Sequence, residues 1–195
     1  MAGSLLGASS AQAADPCGMS YTVAQLETPD FACDIGDKRY SEFNFSFDSG
    51  SFSFSNSPLE RHTFSGTGLM LANSVTPHTY SYTVSVFTGP ETFHRYRTDL
   101  QSSSDPLPTG ATNELTNSVN GNISTAVFPT PGSVVGLSGT SVTFTGTIEN
   151  IPAGAARIDG FTDSLWQTPG PMPILGAGAV FGFSRKLRSR IKASV

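Results

Sequence analysis

Phe43, Phe45 and Phe47 alternate with Asn44 and Ser46, and a few residues later Phe52 and Phe54 alternate with Ser51, Ser53 and Ser55. A period of two marks a strand with one buried face. Asp48-Ser49-Gly50 lies between the runs and is a turn signal. The pair therefore predicts a hairpin with one aromatic face. The same alternation returns at Tyr80, Tyr82, Val84 and Val86, set against Ser81, Thr83 and Ser85. It returns again at Val142, Phe144 and Ile148 within residues 141–150, where Gly146 leaves a gap or a bulge. Residues 126–128 and 134–135 are shorter candidates, and residues 157–166 predict the last strand or its closing turn. His94-Arg95-Tyr96-Arg97 reads as a strand with one solvated face.

Turn clusters separate these runs at residues 88–90, 105–110, 120–121 and 129–132. Between Cys17 and Cys33, Ser20 is placed to cap a short helix with Val23 and Leu26 on one face, which Pro29 would end. No stretch of ten or more residues in the body carries helical periodicity. The expected fold class is all-β: an antiparallel β-sandwich, jelly-roll-like, over residues 14–166. A short N-terminal helix and a C-terminal apolar helix with a basic tail complete the expectation.

Composition sharpens this picture. The chain has 195 residues, room for one domain of ordinary size. Charged residues are 13%, about half the usual globular share. The 27 Ser and 21 Thr supply the polar positions instead. With 14 Phe and 5 Tyr there is ample material for a core. Low net charge and many aromatics argue against disorder. A net charge of -4 excludes a basic nucleic-acid binder.

Charge is unevenly distributed. Five of the 11 basic residues, Arg185, Lys186, Arg188, Arg190 and Lys192, fall at the extreme C-terminus, and no acid follows Asp163. Ahead of them lies an uncharged run from 174 to 183 that includes Ile174, Leu175, Val180, Phe181 and Phe183. A short apolar segment backed by basic residues fits a tail held at the cytoplasmic face. Residues 172–184 would reach about 20 Å as a helix, against about 30 Å for a bilayer core. Snorkelling basic side chains and local thinning would shorten that gap. A buried helix with a solvated basic end fits the same pattern. At the other terminus, Ala11-Gln12-Ala13 is a small-x-small site of the kind signal peptidase cuts, so residues 1–13 read as a signal peptide shortened at its start. A frayed Ala/Ser-rich terminus is the plainer alternative.

The block Pro169-Gly170-Pro171-Met172-Pro173, followed by the apolar run and the Arg/Lys cluster, resembles the PEP-CTERM sorting signal. More narrowly it is similar to the variant found in cyanobacteria. Gly170 stands where that motif has Glu, which bears on the position of cleavage. The segment Cys33-Asp34-Ile35-Gly36-Asp37-Lys38, leading into an aromatic strand, is similar to the opening of exported domains of such proteins. The resemblance implies that residues 167–195 are a linker and a sorting tail. It implies exosortase as a transient partner and a membrane anchor before processing. It also implies a final place at the cell surface or in the extracellular matrix, near polysaccharide.

Candidate chemistry is sparse. Cys17 and Cys33 are not a CxxC pair, so in an exported chain they read as a disulfide, with two buried thiols as the alternative. Closing that loop would stabilise the fold by about 3 kcal/mol. The chain has no HExxH, GxSxG, P-loop or GxGxxG motif, and His62, His78 and His94 lack metal-ligand spacing. Asp34 with Asp37, and Asp159 with Asp163, are acidic pairs of a type that binds calcium, but turn acids are commonplace. No cofactor or metal is expected. The expected function is non-catalytic, structural or adhesive. One alternative is a carbohydrate-binding module, which needs aromatics such as Trp166 exposed in a row. The other is a small secreted hydrolase, which needs acids, or an acid and a histidine, converging in a cleft.

Overall fold

The computed structural model describes residues 14–57, 61–71, 76–89, 91–102, 112–151 and 158–168. Its elements in chain order are β1 (Asp15–Pro16), α1 (Val23–Leu26), β2 (Ala32–Ile35), β3 (Lys38–Phe45), β4 (Ser51–Ser57) and β5 (Arg61–Leu71). Then come β6 (His78–Val86), β7 (Thr92–Ser102), β8 (Thr112–Val119), β9 (Asn122–Val127), β10 (Val135–Gly136), β11 (Ser141–Ile151) and β12 (Ile158–Thr168). The strands make two sheets, ordered β1-β2-β3-β6-β11-β8-β9 and β10-β7-β12-β5-β4. Every pairing is antiparallel except β1 with β2. The fold is an all-β sandwich, as the alternating pattern predicts.

The expected hairpin does not form. β3 pairs with β2 and β6, whereas β4 pairs with β5 in the other sheet. Residues 46–50 carry the chain across the sandwich. The two aromatic runs face each other through the core, with Phe45 and Phe52 ring centroids 4.8 Å apart and Phe43 and Phe54 5.9 Å apart. Alternation reports a buried face and leaves open which sheet a strand joins. In β3 the phase itself changes. Lys38 and Tyr40 point inward, then Glu42 takes φ 57° in a bulge, and Phe43 and Phe45 point inward after it. One extra residue thus brings both inward sets onto the same face.

Turn chemistry was legible. Asn120 and Gly121 both have positive φ (50° and 81°) and close the two-residue β8–β9 hairpin, the geometry a tight right-twisted hairpin needs. Gly146 is a gap and not a bulge. A Cβ there would lie 2.2 Å from the Tyr80 ring, which occupies that space directly across from it. The short helix is capped by Thr22, not by Ser20. Thr22 and Gln25 form a reciprocal capping box, and Val23 and Leu26 are buried as expected. β12 continues through Thr168, so Gln167 and Thr168 belong to the strand and not to a linker.

Packed aromatic rings run through the core. Tyr82 stacks on Phe144 at 4.8 Å, Tyr80 on Phe161 at 4.2 Å, and Phe64 packs against Tyr82 at 4.5 Å. Outward positions carry hydroxyls that bond across strands: Thr83 with Thr143 at 2.9 Å, Ser65 with Thr162 at 3.1 Å, and Thr116 with Thr125 at 3.2 Å. Ser and Thr thus replace charge on the solvated faces.

Candidate functional site

The Gly36-Asp37 loop joins β2 to β3 in two residues, with Ile35 opposite Lys38. Gly36 supplies the positive φ (64°) that this tight reversal requires. The turn delivers Lys38 to the inward face at one end of the sandwich, where it is fully buried. A buried ammonium needs a partner. The Asp37 carboxylate holds it through Oδ1, and the Phe93 ring lies 5.8 Å away. Gln167 reaches the same place from β12. Its Nε2 donates to Asp37 Oδ2 at 2.8 Å and also to Glu91 Oε2. Its Oε1 faces His62 Nε2 at 3.2 Å. His62 Nδ1 is buried without a partner. The pairing is therefore met when Nε2 carries the proton and donates.

The electrostatics of this cluster follow from its crowding. Burial works to raise the Asp37 pKa, but hydrogen bonds with Glu91, Lys38 and Gln167 outweigh it and hold the carboxyl well below the usual range. Glu91 is pushed up, chiefly by its hydrogen bond with Asp37 and then by burial. Of the two neighbouring acids, Glu91 is therefore the one that takes up a proton more readily. Burial and the charge of Lys38 lower His62, which favours its neutral form.

A second polar group sits deeper. Asp163, in the middle of β12, is buried in the core. Its Oδ2 accepts from the Tyr80 hydroxyl at 2.9 Å and the Tyr82 hydroxyl at 3.1 Å. Its Oδ1 accepts from Thr98 Oγ1 at 2.7 Å and Asn117 Nδ2 at 2.6 Å. Burial pushes this carboxyl up to about 6, in spite of all four donors. Tyr80 and Tyr82 are raised by burial and by the carboxylate beside them. Asp163 is 1% exposed, so it meets no solvent-borne ligand.

An open cleft of about 410 Å³ lies between the α1 turn and the β3 bulge, lined in part by Glu27, Asp30 and Glu42. Two of these acids serve the framework. Glu27 Oε1 accepts the Phe45 N–H at 2.7 Å, and Glu42 Oε2 accepts the Thr83 hydroxyl at 2.7 Å.

The residues singled out from the sequence separate into groups. Cys17 and Cys33 are bonded to each other, which ties the N-terminal strand to β2. The sorting motif at 169–173, the apolar run 174–183, the basic cluster 185–192 and the cleavage site at Ala11 and Ala13 lie outside the described residues. No helix among the described residues is long and apolar enough to cross a membrane. The acidic pairs do not act as pairs: Asp34 forms a two-point ion pair with Arg39, Asp37 turns to Lys38, and Asp163 turns into the core. Among the described residues no three His, Cys, Asp or Glu side chains meet in a way that could hold a metal.

The histidines sit on β5, β6 and β7, and His62 alone enters the Gln167 cluster. His94 and Arg95 are exposed between buried Phe93 and Tyr96, giving the expected strand with one solvated face. Arg95 covers the half-buried Trp166 ring at 4.9 Å. Among the described aromatics only Phe87 is largely exposed. The sequence reading missed Lys38, Glu91 and Gln167 as a group. Its one pointer was the Ile-Gly-Asp-Lys turn, where a lysine occupies an inward position two residues before Tyr40. Comparison with protein-family models, with curated proteins and with solved structures finds no match to this chain.

Proposed function

We propose that this chain is an exported, non-catalytic building block of the cell surface or extracellular matrix. In this reading exosortase sorts it through the tail beginning at Pro169. The single observation that carries the reading is the Cys17–Cys33 bond. Such a bond persists in an oxidising compartment and is rare in the cytosol. Two further features support it. The solvated faces are hydroxyl ladders instead of charged surfaces. Most of the described aromatic side chains are turned into the core, and the half-buried Trp166 ring is covered by Arg95, which favours a structural role over carbohydrate capture.

Intact mass of the native protein recovered from the surface fraction tests the reading. The expected product lacks residues 1–13 and the basic tail. A cytoplasmic product that keeps residues 185–195 and two free thiols would overturn it.

A further inference from the structure

The cluster around Gln167 contains more than a buried lysine needs. One carboxylate would suffice to hold Lys38. Here a carboxamide stands on the far side of that carboxylate, bracketed at each of its polar atoms. Its nitrogen faces Asp37 at 2.8 Å and also Glu91, and its oxygen faces His62 Nε2 at 3.2 Å. The same Asp37 holds the Lys38 amine through its other oxygen. An amine, an amide carbon, two acids meeting at the amide nitrogen and a donor at the carbonyl oxygen are the parts an acyl-transfer step requires. Lys38 and Gln167 are both buried, so water competes poorly for the amide.

We infer that Lys38 and Gln167 join in an intramolecular amide bond that links β3 of one sheet to β12 of the other. Lys38 passes a proton to Asp37, and its freed Nζ attacks the Gln167 side-chain carbon. His62 Nε2–H steadies the developing charge on Oε1. The acid pair then protonates the departing nitrogen, the carbon–nitrogen bond of the carboxamide breaks, and one ammonia leaves. It departs beside Glu91, which is half-buried at the rim. The bond that forms replaces the one that breaks, and no oxidant or cofactor enters.

The placement has a mechanical consequence. β12 is the last described strand and continues toward the residue 169–195 segment, while β3 follows the disulfide-bonded β2. The amide would close the sandwich covalently between its first and last long strands. The inference concerns the folded body and does not depend on where the protein is delivered.

Peptide mapping of the purified full chain after reduction and denaturation tests it. The expected result is a branched peptide joining the Lys38 and Gln167 segments, lighter than the sum of its parts by one ammonia. Lys38→Met and Gln167→Leu should each yield only linear peptides. Glu91→Gln keeps every side chain at nearly its original size, so the protein should fold with an unchanged circular dichroism spectrum while the branched peptide is lost or forms far more slowly. Recovery of linear Lys38 and Gln167 peptides alone, at full mass, from the folded wild-type chain after prolonged incubation overturns the inference. A branched peptide that forms undiminished in Glu91→Gln overturns the assigned role of the acid pair.

Discussion

One strand carries two polar inclusions of this sandwich, and they differ in how their hydrogen bonds close. At the middle of β12, Asp163 takes four donors from β6, β7 and β8. Each donor is a hydroxyl or an amide, none is charged, and nothing there opens to solvent. At the end of β12, Gln167 stands between two acids, a histidine and a buried lysine. That cluster holds charge, sets two acids of opposite pKa shift side by side and touches the rim. A closed network of neutral donors around one acceptor fixes the register of three strands against a fourth. An end cluster with labile protons and an amide is arranged for chemistry.

The largest expected effect is at the inner site. Asp163→Ala removes the one acceptor common to Tyr80, Tyr82, Thr98 and Asn117 and should destabilise the fold by about 3–5 kcal/mol, because buried donors are left unmatched. At the end cluster, in a Lys38→Met background where no cross-link can form, Glu91→Gln retains an acceptor for Gln167 and a donor for Asp37, and should cost less than about 1 kcal/mol beyond Lys38→Met alone. Urea unfolding of both variants measures the contrast. Equal losses would mean that the two clusters are structural in the same sense.

Acid should separate them next. The unfolded Asp163 carboxyl titrates near 3.8, and the folded one near about 6. Below the first value both states are protonated, and between the two the folded state keeps a proton that the unfolded state has lost. Stability from this group therefore falls as pH rises through that window, by about 3 kcal/mol in all. Asp37 has the opposite sign: its folded carboxyl is held low, so its contribution is present above the ordinary carboxylate range and is lost on strong acidification. Unfolding curves of the wild type and Asp163→Asn between pH 4 and 7.5 test this. The deficit of the variant should shrink as pH rises, and a constant deficit would remove Asp163 as the titrating group.

These two sites also explain what the sequence disclosed. Strands with apolar inward faces, such as β6 and β11, were legible because Tyr80, Tyr82, Phe144 and Ile148 fall at every second position or skip a single glycine. β8 was not, since its inward set is Asn113, Leu115, Asn117 and Val119, in which two of four are amides. β5 hid for a related reason: His62, Thr63, Gly66 and Thr67 interrupt its apolar positions. Two of these residues, Asn117 at Asp163 and His62 at Gln167, break the alternating signal because they serve the two polar clusters. The Cys17–Cys33 bond was readable from residue type and count. The Gln167 cluster was not, because its members come from the β2–β3 turn, β3, β5, the residue just before β7 and the end of β12, and only the fold brings them together.

A steric probe sharpens the contrast without touching a polar atom. Gly146→Ala would place a methyl against the Tyr80 ring, whose hydroxyl both donates to Asp163 and accepts from Asn117 at 2.9 Å. Shifting that ring should cost about 1–3 kcal/mol, in line with overpacking of a filled core. It should also broaden the tyrosine near-ultraviolet circular dichroism bands. An unchanged spectrum with unchanged stability would mean that the inner network tolerates displacement, against the tight fit seen at Asp163.

The smallest effect is expected on the opposite face of the same strand. Thr143 lies one residue from buried Phe144 and points outward, where its hydroxyl meets Thr83 at 2.9 Å. Thr143→Val keeps the β-branched shape and removes only the hydroxyl. The cross-strand bond it loses is exposed, and water replaces it, while valine has equal or better strand preference. The two terms oppose each other, so the net change should stay within about 0.5 kcal/mol by urea unfolding. A loss above about 1.5 kcal/mol would place Thr143 in a site sheltered from water, since only a sheltered hydroxyl leaves its partner unmatched. The hydroxyl-lined face would then be covered in the native protein, and the division between a closed interior and a solvated exterior would need redrawing at this sheet.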